Sequence, residues 1–382
     1  MLRSSLGFHT ITLSLWLFLN EASQLIADFR KYSQETGAIQ IYSDEYQNVV
    51  IKFYQRDQGI KWLIRPDVYL EKCRTTVDII DVTINPKILG GIHDYITAAT
   101  IDDMNAAISA FDRLSQRISP LLRTFEDYSL KRIDYCINFA LNELVPGCSP
   151  EQIMNLIKRS DIPPHYKEWM KYDGTAHRLK SRPSSFYLVC DSVNVNCYSK
   201  FMKFQEQSEE NKARGYPPIP QKIMDNARDI IRFEVQCKYP KVYTLSKAVQ
   251  ANGDRKINKY ESLLADEFCR EIISYYFNAT VGKGFWYSLH MAVALVKSNK
   301  FNAQKENRII DALQVINQCR NLAKAKAKYQ GDDLATFKRT LKDLSDLGIN
   351  PVTIPKEWGI GRIWNLLEIY HSKKCMESLI RL

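Results

Sequence analysis

The sequence predicts an α+β fold. An open antiparallel sheet of βαββαβ type, with helices on one face, spans residues 1–240, and a helical region follows over 241–382. Three observations predict this. Three separate stretches alternate apolar and polar residues with the period of a half-buried strand. Helical spacing appears between those stretches. From Tyr243 onward the texture is helical almost throughout.

The three alternating stretches come first. Ser184–Lys200 reads as a hairpin, with Phe186–Cys190 as one strand, Asp191-Ser192 as the turn and Val193–Tyr198 as the other. Val193, Val195 and Cys197 share one face; Asn194, Asn196, Tyr198 and Lys200 share the other. In Arg132–Phe139, Ile133, Tyr135, Ile137 and Phe139 oppose Arg132, Asp134 and Asn138. In Ile231–Lys238, Ile231, Phe233, Val235 and Cys237 oppose Arg232, Glu234, Gln236 and Lys238. In one sheet with its apolar side covered, the polar side gathers Asp134, Glu234, Tyr198, Lys200 and Arg232. A solvated face with cross-strand ion pairs is the plain reading of any one strand. The same polarity in three strands favours a site.

The remaining elements follow in order. Ile11, Leu13, Leu15 and Leu17 alternate with Thr10, Thr12, Ser14 and Trp16. This makes the start a strand, although Met1-Leu2-Arg3 before Leu6–Leu19 shares the outline of a signal peptide. An amphipathic helix follows over 21–30. A hairpin is expected around Arg56–Gly59, and a strand over 77–84. Thr100–Asp103 is a capping box opening a helix that Pro120 stops. Ser149-Pro150 opens a helix carrying Ile153, Leu156 and Ile157. Asp161–Ser185 is basic and irregular, with His177, Arg178, Lys180 and Arg182 beside Tyr166, Trp169 and Tyr172. Cations among aromatics suit single-stranded nucleic acid, and a solvated loop fits equally. A helix over 201–214 and an extended Pro-rich connector precede the strand at 230–238. Helices are expected over 258–277, 282–297, 302–329, 332–347 and 361–373, with Lys324, Lys326, Lys328, Lys338, Arg339 and Lys342 making this region basic. No internal repeat, P-loop or GxGxxG stretch is visible.

A net charge of +10 over 382 residues suits a polyanionic partner. Nine cysteines with no CxxC pair read as small buried hydrophobes of a reducing compartment, and six scattered histidines form no metal-binding pair. No apolar run reaches membrane-spanning length, so a cytoplasmic protein is expected.

Two carboxylates, a phenol and cations on one face are what a metal-assisted attack on a phosphodiester needs. Tyr198 is the candidate nucleophile. Asp134 and Glu234 are candidate ligands of Mg²⁺ or Mn²⁺, and Lys200 a candidate stabiliser of developing charge. Arg132 and Arg232 are candidate DNA contacts, or structural partners of those carboxylates.

RIDYCINF, VNVNCYSK and RFEVQCKY, in this order, together with TINPKILGG upstream, resemble the phage/plasmid replication proteins of the filamentous-phage gene II/X family. They are also similar to plasmid rolling-circle initiators. The likeness covers roughly Phe8 to Tyr260, with a fainter echo in GINPVTIP. It implies a replication-initiator nuclease fold and a site-specific strand nickase that joins Tyr198 to the 5′ end. It also implies origin DNA, duplex and single-stranded, with a host helicase and polymerase as partners. Departures are Lys203 where many such initiators carry a glutamate, with Glu206 further on. A two-histidine metal motif is absent, and no second tyrosine is identifiable. A conjugative relaxase using the same chemistry, or an origin-binding protein without it, are the alternatives.

Overall fold

In the computed structural model, the described residues are 3–18, 20–53, 58–71, 74–169, 171–172, 179–180, 185–213, 215–251 and 259–380. They form a mixed α/β structure around a ten-stranded antiparallel sheet. Its strands are β1 (Ser5–Leu17), β2 (Ile39–Ser43), β3 (Val49–Phe53), β4 (Ile60–Leu70), β5 (Thr75–Ile84), β6 (Ser129–Ala140), β7 (Lys167–Glu168), β8 (Ser185–Val189), β9 (Val193–Ser199) and β10 (Ile230–Cys237). The longer helices of the sheet region are α1 (Glu21–Thr36), α2 (Ile101–Ile118), α3 (Pro150–Lys158) and α4 (Lys200–Ala213). After β10 come α5 (Tyr239–Ala251), α6 (Asp266–Thr280), α7 (Leu289–Ser298), α8 (Ala303–Cys319), α9 (Gly331–Asp346) and α10 (Leu366–Ile380).

The local chemistry that starts these elements is as expected. Asp103 accepts from the Thr100 backbone N–H at 2.8 Å to open α2. Ser149 and Gln152 exchange hydrogen bonds of 2.9 and 3.3 Å to open α3. The hairpin of β8 and β9 forms around Asp191-Ser192. Four expected helices are broken or start late. Residues 258–277 divide at Ala265 into Lys259–Leu264 and α6, and 361–373 begins with a short strand, Arg362–Ile363, before α10. The stretch 302–329 splits where Arg320 takes a left-handed conformation (φ 50°), and 282–297 begins with a short strand, Trp286–Tyr287, before α7.

The apolar alternation of each strand buries one face. Ile11, Leu13, Ile133, Tyr135, Phe233, Val235, Val195 and Cys197 all lie in one continuous core. Helix α6 closes over that face. Phe277 sits 5.7 Å from Phe139 and 5.1 Å from Phe233, ring centre to ring centre. The Tyr135 hydroxyl donates to the Leu263 carbonyl at 3.0 Å. Each fully buried ring of this kind contributes about 2–3 kcal/mol of hydrophobic stabilisation. The first part of the helical region thus shares its core with the sheet.

The strand order β2-β3-β4-β5-β1-β6-β10-β9-β8-β7 reads the same from either edge. Each half contributes a strand, a helix and then four strands of the sheet, with α4 inserted before the last strand of the second half, and the halves meet where β1 pairs with β6 and Ile11 opposes Ile133. The registers repeat as well. In the first half Ile11 pairs with Ile84; Lys61, Leu63 and Arg65 pair with Thr83, Asp81 and Ile79. In the second Ile133 pairs with Cys237; Asn194, Asn196 and Tyr198 pair with Gln236, Glu234 and Arg232. A pseudo-dyad therefore sets Asp81 against Glu234, Arg65 against Tyr198 and Thr12 against Asp134. The sequence shows no trace of this doubling, because only the apolar alternation is shared between the halves.

Candidate active site

The three polar stretches lie side by side as β6, β10 and β9. Period-two alternation and register bring Asp134, Glu234 and Tyr198 to one face, where they line a cleft of about 500 Å³ with Arg132, Tyr187 and Gln236. The Tyr198 hydroxyl donates to Glu234 Oε2 at 3.1 Å. Glu234 Oε1 accepts from Gln236 Nε2 at 2.9 Å. Tyr187 completes the network: its hydroxyl accepts from Asn194 Nδ2 at 2.9 Å. Arg132 grips Asp134 through Nε and a terminal nitrogen, both at 2.7 Å.

Electrostatics follow from burial. Asp134 is pushed up to about 7, first by burial and then by the Glu234 charge, with Arg132 pulling it back. Burial and the Glu234 charge hold the Tyr198 phenol well above its ordinary value, against the opposing charge of Arg232. At neutral pH the phenol is protonated, and its proton points at a carboxylate.

Two sequence expectations change. Arg232 is fully buried (0% exposed). Its Nε donates to Asn138 Oδ1 at 2.7 Å and a terminal nitrogen donates to the Ile96 carbonyl at 2.9 Å. It is a strut beneath the site and not a DNA contact, because residues 92–99 cover that end of the sheet. Lys200 is not a strand residue facing the cleft. It is the first residue of α4, 4% exposed, and its ammonium donates to the Tyr95 carbonyl at 2.7 Å. Burial, then the Arg232 charge, hold its pKa well below the ordinary lysine value. Arg132 remains at the cleft with its side chain 39% exposed. His177, Arg178 and Arg182 lie outside the described residues. Lys180 is placed only in backbone, in a short ladder of Lys171–Tyr172 with Leu179–Lys180.

Sequence reasoning missed several lining residues. His9 lines the cleft, beside Thr10, which pairs with Asp134. Burial, then Arg232, Lys200 and Arg132, push its pKa well below the ordinary value. Only the β1–β6 pairing brings it here, and nothing local signals that pairing. Lys203 and Glu206, noted as departures from the replication-protein pattern, both reach the cleft from α4, 3.7 Å apart.

The donor set suits a hard divalent ion in part. Asp134 and Glu234 are two oxygen ligands of the kind Mg²⁺ takes beside waters and phosphate oxygens. Both Asp134 oxygens are already engaged by Arg132, and no cluster of three or more His, Cys, Asp or Glu side chains with ligand spacing occurs among the described residues. No described helix is long and apolar enough to cross a membrane.

No family model matches the chain and no curated protein matches it. The likeness to the gene II/X family therefore stays with the motifs that carry it. Among solved structures the chain is similar to a rolling circle replication initiator protein from Geobacillus stearothermophilus. That likeness has a TM-score of 0.29 and 10% identity, and covers 72% of this chain and 85% of that one.

Proposed function

We propose that the protein is a site-specific DNA-nicking strand transferase of the rolling-circle initiator class, with Tyr198 as nucleophile. The observation that carries this is the Tyr198 hydroxyl aimed at Glu234 Oε2 across 3.1 Å, in an open cleft with the Arg132–Asp134 pair alongside. The phenol has no negative charge of its own at neutral pH, so it needs a base at the moment of attack, and Glu234 is in reach of its proton. The phenolic oxygen bonds to phosphorus as that proton passes to Glu234. The bond from phosphorus to the 3′ oxygen breaks, and the 3′ hydroxyl forms by taking up a proton. The DNA 5′ end is left on Tyr198. Gln236 fixes the Glu234 carboxylate, and Arg132 presents positive charge where the phosphate must lie.

Asp134 and Glu234 are the residues that would hold Mg²⁺ or Mn²⁺, which would polarise the non-bridging phosphate oxygens. An ion there competes with Arg132 for Asp134. Residues 241–382, with their lysines, are proposed to supply contacts to the duplex origin; a host helicase and polymerase would extend the nicked strand.

The experiment is cleavage of supercoiled DNA carrying the protein's own origin. Tyr198→Phe loses at least about a thousandfold in cleavage and forms no covalent protein–DNA adduct, and Glu234→Gln loses about a hundredfold or more. A chelator abolishes cleavage and added Mg²⁺ restores it, with Asp134→Asn needing more. Tyr198→Phe cutting at the wild-type rate overturns Tyr198. A wild-type protein that binds the origin without cutting it under any metal condition leaves an origin-binding protein instead.

A further inference from the structure

We infer that the single DNA strand adjoining the bond cut at Tyr198 runs across the sheet, past the pseudo-dyad, onto the polar face of the first half. This rests on the nickase reading. Register draws the path: Arg132 pairs with Thr12, Thr12 with Thr83 and Thr83 with Lys61. These side chains form one row leading away from the cleft. Three clefts adjoin along the path. The first, around Tyr198, shares Thr83 and Arg132 with a second of about 450 Å³. The second shares Lys131 and Tyr239 with a third of about 830 Å³ that ends at Trp16 and Phe18. The row itself crosses three strand spacings, and the whole path from Tyr198 on β9 to Lys61 on β4 crosses five, about 24 Å at the usual separation.

The chemistry along the path is that of a single-strand track. Lys61, Lys131 and Lys238 line the second cleft, against the carboxylates Asp81 and Asp191. Asp81 is held between Arg65 at 2.9 Å and Lys131 at 2.6 Å, so it adds no free negative charge. Large aromatics stand exposed at the far end: Trp16 at 56%, Phe18 at 70% and Tyr239 at 55%. The Arg123 guanidinium lies 5.0 Å from the Phe18 ring centre, and Tyr239 lies 6.1 Å from Tyr243 with rings tilted by 30°. Phosphates meet cations there and bases find faces to stack on. The pseudo-dyad gives this surface its character. Arg65 and Asp81 occupy the positions that Tyr198 and Glu234 hold in the other half, so the first half presents a face in the same register with a guanidinium where the nucleophile would stand.

Fluorescence anisotropy with labelled oligothymidylates tests this on the full chain, in wild type and in the double variant Lys61→Ala, Trp16→Ala. Both residues are exposed and stand outside the nicking groups. Wild type binds an oligonucleotide of about 16 nucleotides, long enough to fill the track, at least roughly tenfold more tightly than one of about 4, which reaches only the cleft around Tyr198. The double variant loses that gain, keeps the short-oligonucleotide affinity, and shows a salt slope lower by about 0.7. Undiminished binding of the long oligonucleotide by the double variant overturns the inference. So does a double variant that changes only self-association, which makes the surface a contact between copies. A wild type that nicks but shows no gain with length leaves the nickase reading and removes the track. Cleavage by Tyr198→Phe with the length gain intact does the reverse. No binding of either oligonucleotide by wild type removes both.

Discussion

Tyr198 and Asp134 show how burial changes the behaviour of ordinary side chains. The same low-dielectric surroundings that keep the phenol protonated make its contact with Glu234 a directed one. His9 carries the clearest pH signature of this site. Its folded pKa lies well below the ordinary 6.5, because burial, and then the charges of Arg232, Lys200 and Arg132, disfavour the imidazolium. A depressed folded pKa means the unfolded chain takes up a proton that the folded one refuses. Stability from this residue is thus complete above 6.5 and drains away as pH falls below it. Asp134, raised to about 7, has the opposite sign, gaining stability as pH falls from there. The comparison must therefore be variant against wild type at each pH. His9→Gln should narrow or reverse its stability deficit between about pH 7.5 and about pH 5, measured as urea midpoints. A deficit that stays constant with pH would show that His9 titrates normally.

One short segment governs the closed end of the site. Residues 92–99 lap over the sheet, and Ala99 exchanges backbone hydrogen bonds with Phe8 at 2.7 and 3.2 Å. From this segment Tyr95 accepts the Lys200 ammonium and Ile96 the Arg232 guanidinium. Gly7 permits the lap: a Cβ at that position would overlap the Ala99 carbonyl oxygen. Gly7→Ala must push the segment away, which takes the Tyr95 carbonyl from Lys200 and the Ile96 carbonyl from Arg232 and leaves Arg232 its bond to Asn138. A loss of about 2–4 kcal/mol in urea unfolding is expected, together with faster hydrogen exchange at the Ala99 amide than at the Ile133 amide of β6. Wild-type exchange at Ala99 in that variant would show that the sheet yields instead. The element boundaries near the site were largely legible: the hairpin, the β6 and β10 strands and the α2 and α3 caps all announce themselves locally. The lap was not, since residues 92–99 have no periodicity, and a backbone carbonyl acting as acceptor carries no residue-type signal.

Across the whole molecule, the helical region is tied to the sheet region by specific contacts. Lys326 pairs with Asp161 at 2.7 Å, and the Leu322 amide donates to the Arg159 carbonyl at 2.7 Å. Lys326 thus serves structure, whereas Lys324 and Lys328 are exposed. If these two contact duplex phosphates, replacing both with alanine lowers the salt slope of duplex binding by up to about 1.8. Such contacts position without reading sequence, so affinity falls for every duplex alike, and nicking of a single-stranded origin oligonucleotide persists. An unchanged slope would return duplex recognition to the basic stretch at 161–185.

Within each strand, alternation alone tells which residues face together, since it is a property of the extended backbone. Asp134, Glu234 and Tyr198 were legible for that reason. Depth and neighbourhood come from packing between distant segments, which no local pattern encodes. Arg232 and Lys200 have the same polar periodicity as Tyr198, yet they are buried beneath residues 92–99. His9 enters the cleft only through β1–β6 pairing across more than a hundred residues. The doubling of the sheet is also tertiary. Hydrophobic burial asks only for apolar residues at alternate positions, so the two halves share a register while their polar faces diverge to different chemistry.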